Sequence, residues 1–221
     1  ETIHNQILMG YRPITDMWIL ARAKLKPYPD GSKRSYYGAY LGGFVERARA
    51  LLGCNINDPV LHVCGGMAKY YPYRRGFGPN DKTLDLDPKC EPDFLQDARQ
   101  PFPFSDGWVE SEREELSKQF ITSPVDISKA RGMTPWAGIL IDPPYSEGDA
   151  ERYAVGAAAY PKPNQLVRNA FEVLPPGGRV GIIHYLVPSP PKDAIFVACV
   201  GIFPGYNNRL RAYSVFEKPS L

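Results

Sequence analysis

Asp142, Pro143, Pro144 and Tyr145 are the consecutive residues of this 221-residue chain whose types and order are best suited to chemistry. They follow Gly138 to Ile141, a short apolar run of the kind a buried parallel strand shows. Two prolines fix φ and withdraw two backbone donors, so the strand must stop at Asp142. A carboxylate, the fixed carbonyl of Asp142 or Pro143 and the flat face of Tyr145 then sit together at the carboxyl end of a strand. Open α/β sheets bind their ligands there. Acceptors beside a stacking surface suit the exocyclic amino group of a base. Asp142, Pro143, Pro144 and Tyr145 are therefore the candidate catalytic residues, with Tyr145 also a candidate substrate contact.

Other strand ends carry matching groups. Asp58 to Cys64 is an apolar strand running into Gly65 and Gly66, where the lack of a Cβ lets backbone come close to a ligand. Thr83 to Pro88 reads as a second strand ending in a carboxylate, Asp85 or Asp87, and one acidic residue there can take both ribose hydroxyls of an adenosine cofactor. Pro92 to Ala98 reads as a third strand. Gly66, Asp85, Asp97 and Asp142 thus occur in the order and approximate spacing of successive strand ends, a joint pattern far more specific than any one member.

The remaining elements must hold these ends together. Ile14 to Leu25, in an N-terminal arm (1–35), is spaced as a helix with Met17, Trp18, Leu20 and Ala21 inside. Phe44 to Leu52 puts apolar positions 44, 45, 48, 51 and 52 on one helical face, after a glycine-rich lead from Tyr37 and Gly38 to Gly43. Lys69 to Lys82 interleaves aromatics with arginine, and Tyr71, Arg74 and Arg75 are ingredients for stacking on unpaired bases and holding phosphates. An insertion (101–135) places Trp108, Glu112, Leu116 and Phe120 on one helix face and suits a target-reading element, a lid, or contact with a protein partner or a second copy. Ser146 to Pro163 has the composition of a mobile loop or short helix. Asn164 to Leu174 is a helix stopped by Pro175-Pro176-Gly177-Gly178, and a strand follows over Arg179 to Leu186. Two β-rich runs, Ala194 to Phe203 and Arg211 to Phe216, flank a Gly205-Tyr206-Asn207-Asn208 turn, beside which Arg209 is available for phosphate.

Composition bounds the reading. With 43% hydrophobic and 23% charged residues this is a soluble globular domain, without an apolar run near the ~20 residues of a membrane span. Cys54, Cys64, Cys90 and Cys199 are scattered, as are His4, His62 and His184, so neither a disulfide framework nor a metal site is expected and a reducing, cytoplasmic setting is. The net charge is only +2, but residues 1–50 carry eight Lys/Arg against four Asp/Glu and residues 81–120 five against eleven. The basic rim available to phosphates lies in the N-terminal part, around Arg74 and at the C-terminal Arg pair.

The Asp-Pro-Pro-Tyr corner, taken with Gly66, Asp85 and Asp97, resembles the S-adenosylmethionine-dependent amino-methyltransferases that act on nucleic acids. The resemblance covers Tyr36 to Lys218. It implies one domain (1–221) with an α/β, Rossmann-like class I methyltransferase fold, a seven-stranded, mostly parallel sheet with an antiparallel edge strand. It implies that S-adenosylmethionine is held by Tyr37, Gly38, Cys64, Gly65, Gly66, Asp85, Asp97, Ala98 and Asp142. It departs from the family at His62, where an acidic residue is common, and at Cys64, where an aromatic is common. Asp in the first position of the corner favours adenine N6 in DNA, while small ribosomal-RNA guanine-N2 methyltransferases share the motif. A non-catalytic subunit that keeps the fold and binds nucleic acid is the third reading.

Overall fold

A computed structural model describes residues 12–21, 40–70, 73–105, 135–152, 160–205 and 209–220. Tyr37, Gly38, Tyr71, most of the 101–135 insertion and the Tyr206-Asn207-Asn208 turn lie outside the described residues.

The strands are β1 (Ile14–Leu20), β2 (Val60–Val63), β3 (Lys82–Asp85), β4 (Phe94–Leu95), β5 (Gly138–Ile141), β6 (Arg179–His184), β7 (Ile195–Pro204) and β8 (Arg211–Glu217). The helices are α1 (Phe44–Leu52), α2 (Glu147–Arg152) and α3 (Pro163–Val173), with a 3-10 turn at Pro88–Cys90. All eight strands form one sheet in the order β1-β7-β8-β6-β5-β2-β3-β4. Only β8 runs against its neighbours, β6 and β7. The seven strands from β2 to β8 are those expected, ending in the antiparallel pair. The eighth, β1, is added outside β7, parallel to it and in register from Ile14 with Ala198 to Leu20 with Pro204.

β1 corrects the helix expected from Ile14. In Ile-Thr-Asp-Met-Trp-Ile-Leu the residues that go inward are two apart, not three or four: Trp18 packs on Phe44 and Tyr213, and Leu20 is buried. Met17 and Ile19 face outward and are exposed. A β-branched and aromatic segment with a free sheet edge to pair with becomes a strand, whatever helical spacing it also satisfies. Glu147 to Arg152, within the segment read as a loop or short helix, is a short helix.

Two apolar layers hold the sheet. On β5, Ile139 and Ile141 join the layer under α3 with Trp136, Leu166 and Phe171, while Leu140 joins the layer under α1 with Phe44, Ala48 and Tyr213. Burial on both faces explains why the whole strand is apolar. Two glycines set how close the layers come. A Cβ on Gly138 would lie 2.8 Å from Cys54 Sγ, and one on Gly181 would lie 2.1 Å from the Tyr213 hydroxyl. Among the described residues no helix is long and apolar enough to cross a membrane.

The strand order places the site. From β2 the chain builds outward to β3 and β4, then returns to β5 on the other side of β2, so the order reverses between β2 and β5. Such a reversal opens a crevice at the carboxyl ends of the two strands. Val63 pairs with Ile141 there, so the next residues of each strand, Cys64 and Asp142, are delivered to that crevice.

Candidate active site

The loop after β2 bends sharply. Cys64 has φ +52° and donates its N–H to the Leu84 carbonyl at 2.8 Å, and Gly66 has φ +51°. A Cβ on Gly65 would stand 3.0 Å from the His62 Cβ and carbonyl oxygen, tighter than ordinary contacts. Close approach at Gly65 and a left-handed φ at Gly66 thus favour glycine at both positions. Asp85, at the end of β3, accepts from the Gly66 N–H at 2.9 Å and from the Asp87 N–H at 3.0 Å. One bond to each oxygen orients the carboxylate and leaves lone pairs for a ligand's hydroxyls. Burial raises its pKa, and these backbone donors oppose the rise.

Cys64 reports how the strand ends converge. Burial first, then the negative charges of Asp85, Asp142 and Asp97, push its thiol well above the usual range. The negative charges at the ends of β3 and β5 and after β4 therefore all reach this sulfur, and with its burial they favour the protonated thiol.

Asp97 is engaged. Arg99 reaches it through Nε, at 3.0 and 2.9 Å from the two oxygens, through Nη2 at 2.5 Å and through its own backbone N–H at 2.9 Å. These bonds hold Asp97 below the ordinary carboxylate range. Neighbouring Ala98 is buried, and α3 pins this turn through Asn169 and Gln165 bonded to the Ala98 and Arg99 carbonyls. A ligand's amino group would have to share Asp97 with Arg99.

The corner itself is built as its prolines require. The Asp142 N–H closes the β2–β5 ladder on the Val63 carbonyl at 3.1 Å, and beyond it Pro143 and Pro144 offer no donor. The Tyr145 hydroxyl donates to Asp142 Oδ1 at 2.6 Å. Burial raises Asp142 to a pKa of about 6, and the nearby Arg211 and the Tyr145 hydroxyl pull it back only in part.

Around Tyr145 stands a cluster that residue order alone does not announce. The Tyr185 ring is 4.7 Å from it, the His184 ring 5.6 Å edge-on, and the Arg211 guanidinium 5.0 Å from its centroid. The Leu186 N–H donates to His184 Nδ1 at 3.0 Å, so Nε2 carries the proton and donates to the Tyr160 hydroxyl at 2.7 Å. Burial lowers the His184 pKa, in keeping with a neutral ring. Arg209 joins the cluster by donating to the Tyr185 hydroxyl at 3.2 Å.

Arg74 and Arg75 lie elsewhere. Both are exposed, and Arg75 pairs with Glu46 of α1 at 2.9 Å. Arg75 lines a cleft of about 480 Å³ with Leu41, Gly43 and Tyr73, to which neither Asp142 nor Tyr145 contributes. His62, which stands where the resembled family commonly has an acidic residue, lies in β2 and points into the layer beneath the loop. Its Nε2 donates to Asp81 at 3.1 Å and its Nδ1 faces the Tyr40 hydroxyl at 3.4 Å. Tyr40, three residues after Tyr37, is the tyrosine of the lead to α1 that lies among the described residues. It is buried, and Asp142, Cys64 and Asp85 all act on its phenol, which burial already raises.

No family model and no curated protein sequence matches this chain. Solved structures do. TrmN from Thermus thermophilus superposes with a TM-score of 0.50 at 18% identity, over 82% of this chain and 50% of that one. The rRNA methyltransferase aviRa from Streptomyces viridochromogenes gives 0.43 at 15%, over 84% and 88%. An rRNA methylase from Streptococcus thermophilus gives 0.40 at 9%, over 80% and 94%. The chain thus spans half the length of TrmN. The fold is the mixed α/β, Rossmann-like fold of class I methyltransferases, as the Asp-Pro-Pro-Tyr resemblance implies.

Proposed function

We propose that this chain transfers a methyl group from S-adenosylmethionine to the exocyclic amino group of a base in nucleic acid, with adenine N6 in DNA as the target. The observation that carries this reading is the position of Asp142 and Tyr145. They stand at the carboxyl end of β5, across the switch point from the Cys64-Gly65-Gly66 loop.

The residues fit such a donor. The Gly65-Gly66 turn presents backbone without a Cβ, Asp85 is oriented by two N–H groups for a ribose, and Asp97 and Ala98 form the rim where an adenine would lie. Bound there, the donor supplies an electrophilic methyl group on a sulfonium. Asp142 accepts from the target amino group through the oxygen not taken by Tyr145, and Pro143 holds the adjoining carbonyl as a second acceptor. These two contacts aim the nitrogen lone pair, and in-line positioning of this kind carries much of a transfer rate. As the nitrogen–carbon bond forms, the carbon–sulfur bond breaks and the nitrogen becomes acidic. A carboxylate with a pKa of about 6 is largely ionised at neutral pH and can take the departing proton. The base must leave its stack, at a cost of a few kcal/mol in a duplex, to lie against Tyr145.

Incubation with tritiated S-adenosylmethionine and either unmethylated DNA or ribosomal RNA, followed by digestion to nucleosides, tests the reading. N6-methyldeoxyadenosine is expected. Label confined to guanosine in RNA would replace it with the RNA reading. Absence of both transfer and cofactor binding by calorimetry would leave a binding module.

A further inference from the structure

We infer that Arg211 is the residue that reads the target base, by donating to the ring nitrogen beside the amino group that Asp142 accepts from. The inference rests on the methyltransferase reading and adds to it the pattern the substrate must present: a donor next to an acceptor.

The antiparallel strand makes this possible. Because β8 runs against β6, its first residue lies at the edge where the parallel strands end: Ala212 pairs with His184, the last residue of β6, so Arg211 stands just beyond it. The guanidinium is 5.0 Å from the Tyr145 centroid and acts electrostatically on Asp142, while Tyr145 and Asp142 are themselves joined at 2.6 Å. A fixed cation with several N–H donors, a carboxylate acceptor and an aromatic face thus converge on one spot. Arg211 is only partly exposed, so the arrangement is not that of a solvated surface charge.

An extruded base is read on its Watson–Crick edge. Adenine presents the N6 donor beside the N1 acceptor, and cytosine the N4 donor beside the N3 acceptor. Both complement a carboxylate next to an arginine. Guanine presents two donors, N2–H and N1–H, and the second would point at the guanidinium. Read on that edge, Arg211 therefore selects against guanine and for an amino group whose Watson–Crick neighbour is an unprotonated ring nitrogen.

Mixed-sequence single-stranded oligonucleotides carrying adenine, 1-deazaadenine or 7-deazaadenine test this. Wild-type protein is expected to lose about 10- to 100-fold in kcat/KM on 1-deazaadenine, the range for a bond to a charged group, and little on 7-deazaadenine. Arg211→Ala is expected to be slower on adenine yet to show no further loss on 1-deazaadenine. Arg211→Lys, which keeps a cation over Tyr145, should retain part of the discrimination. Undiminished wild-type turnover on 1-deazaadenine overturns the inference however the variants fold, and so does a variant as sensitive to the analogue as wild type. No transfer to any adenine strand, with cofactor binding intact, would overturn adenine as the target and this inference with it. A merely structural role for Arg211 would lower all rates without removing the dependence on N1.

Discussion

Two aspartates at opposite ends of the parallel strands, one before β3 and one after β5, show how differently this protein treats a carboxylate drawn away from water. Asp81, just before β3, accepts from the Val60 and Gly78 N–H groups at 3.1 and 2.7 Å, from His62 Nε2 at 3.1 Å and from the Arg49 guanidinium. Burial works to raise its pKa, but His62 and Arg49 hold it below the ordinary range. At Asp142 desolvation is opposed only by one phenol and the charge of Arg211, and its pKa rises to about 6. The first carboxylate is consumed by the fold, clamping α1, β2 and the turn at Gly78 together. The second keeps accepting capacity at a crevice, as a group meant for a ligand does.

Substitutions at the two sites should therefore part company. Asp81→Ala strands Arg49 in the interior and is expected to cost about 3–5 kcal/mol in urea unfolding. Asp142→Asn removes a poorly compensated charge and should cost nothing at pH 8. Equal losses at both positions would erase the distinction. Next in size is Gly181→Ala, whose methyl group would collide with the Tyr213 ring packed on that strand, for about 1–3 kcal/mol.

The pH response should also be opposite in sign. The folded-state pKa of Asp142 lies above its unfolded value, so the folded form binds that proton more tightly. Stability relative to Asp142→Asn should rise as pH falls from about 6 toward 4. Asp81 has the reverse shift, so its contribution is present above the unfolded carboxylate value and is lost as pH falls below it. Methyl transfer should fall off below pH 6, as a protonated Asp142 stops accepting. The smallest effect is expected from Tyr145→Phe. Loss of the hydroxyl that lowers the Asp142 pKa should move this acidic limb to higher pH, and a limb that stays put would remove Tyr145 from the account.

What could be read from residues alone was whatever local chemistry fixes. Two prolines must end β5, two glycines must turn after β2, and apolar residues on both faces must make buried parallel strands. These dictate the corner, the loop and the sheet. Legibility fails where meaning depends on a partner distant in the chain. Met17, Trp18, Leu20 and Ala21 satisfy helical spacing, and Trp18 and Leu20 strand spacing, until β7 offers an edge. His62 is an unexplained polar residue in an apolar strand until Asp81, 19 positions away, claims its ring. Arg211 looks like an exposed turn residue until the direction of β8 carries it to Tyr145. Asp97 was legible as a carboxylate at a strand end, but its capture by Arg99 depends on a backbone direction that two residues do not reveal.

The account stands most directly on one paired measurement: single-turnover transfer of a labelled methyl group to DNA, and S-adenosylmethionine affinity by calorimetry, on the same preparations of wild type and Asp142→Ala. Transfer is expected to drop by about 10²- to 10³-fold, as for the loss of one positioned polar contact at a reacting centre, while affinity stays within a few-fold. Undiminished transfer by Asp142→Ala would show that the chemistry, if any, lies elsewhere in the molecule.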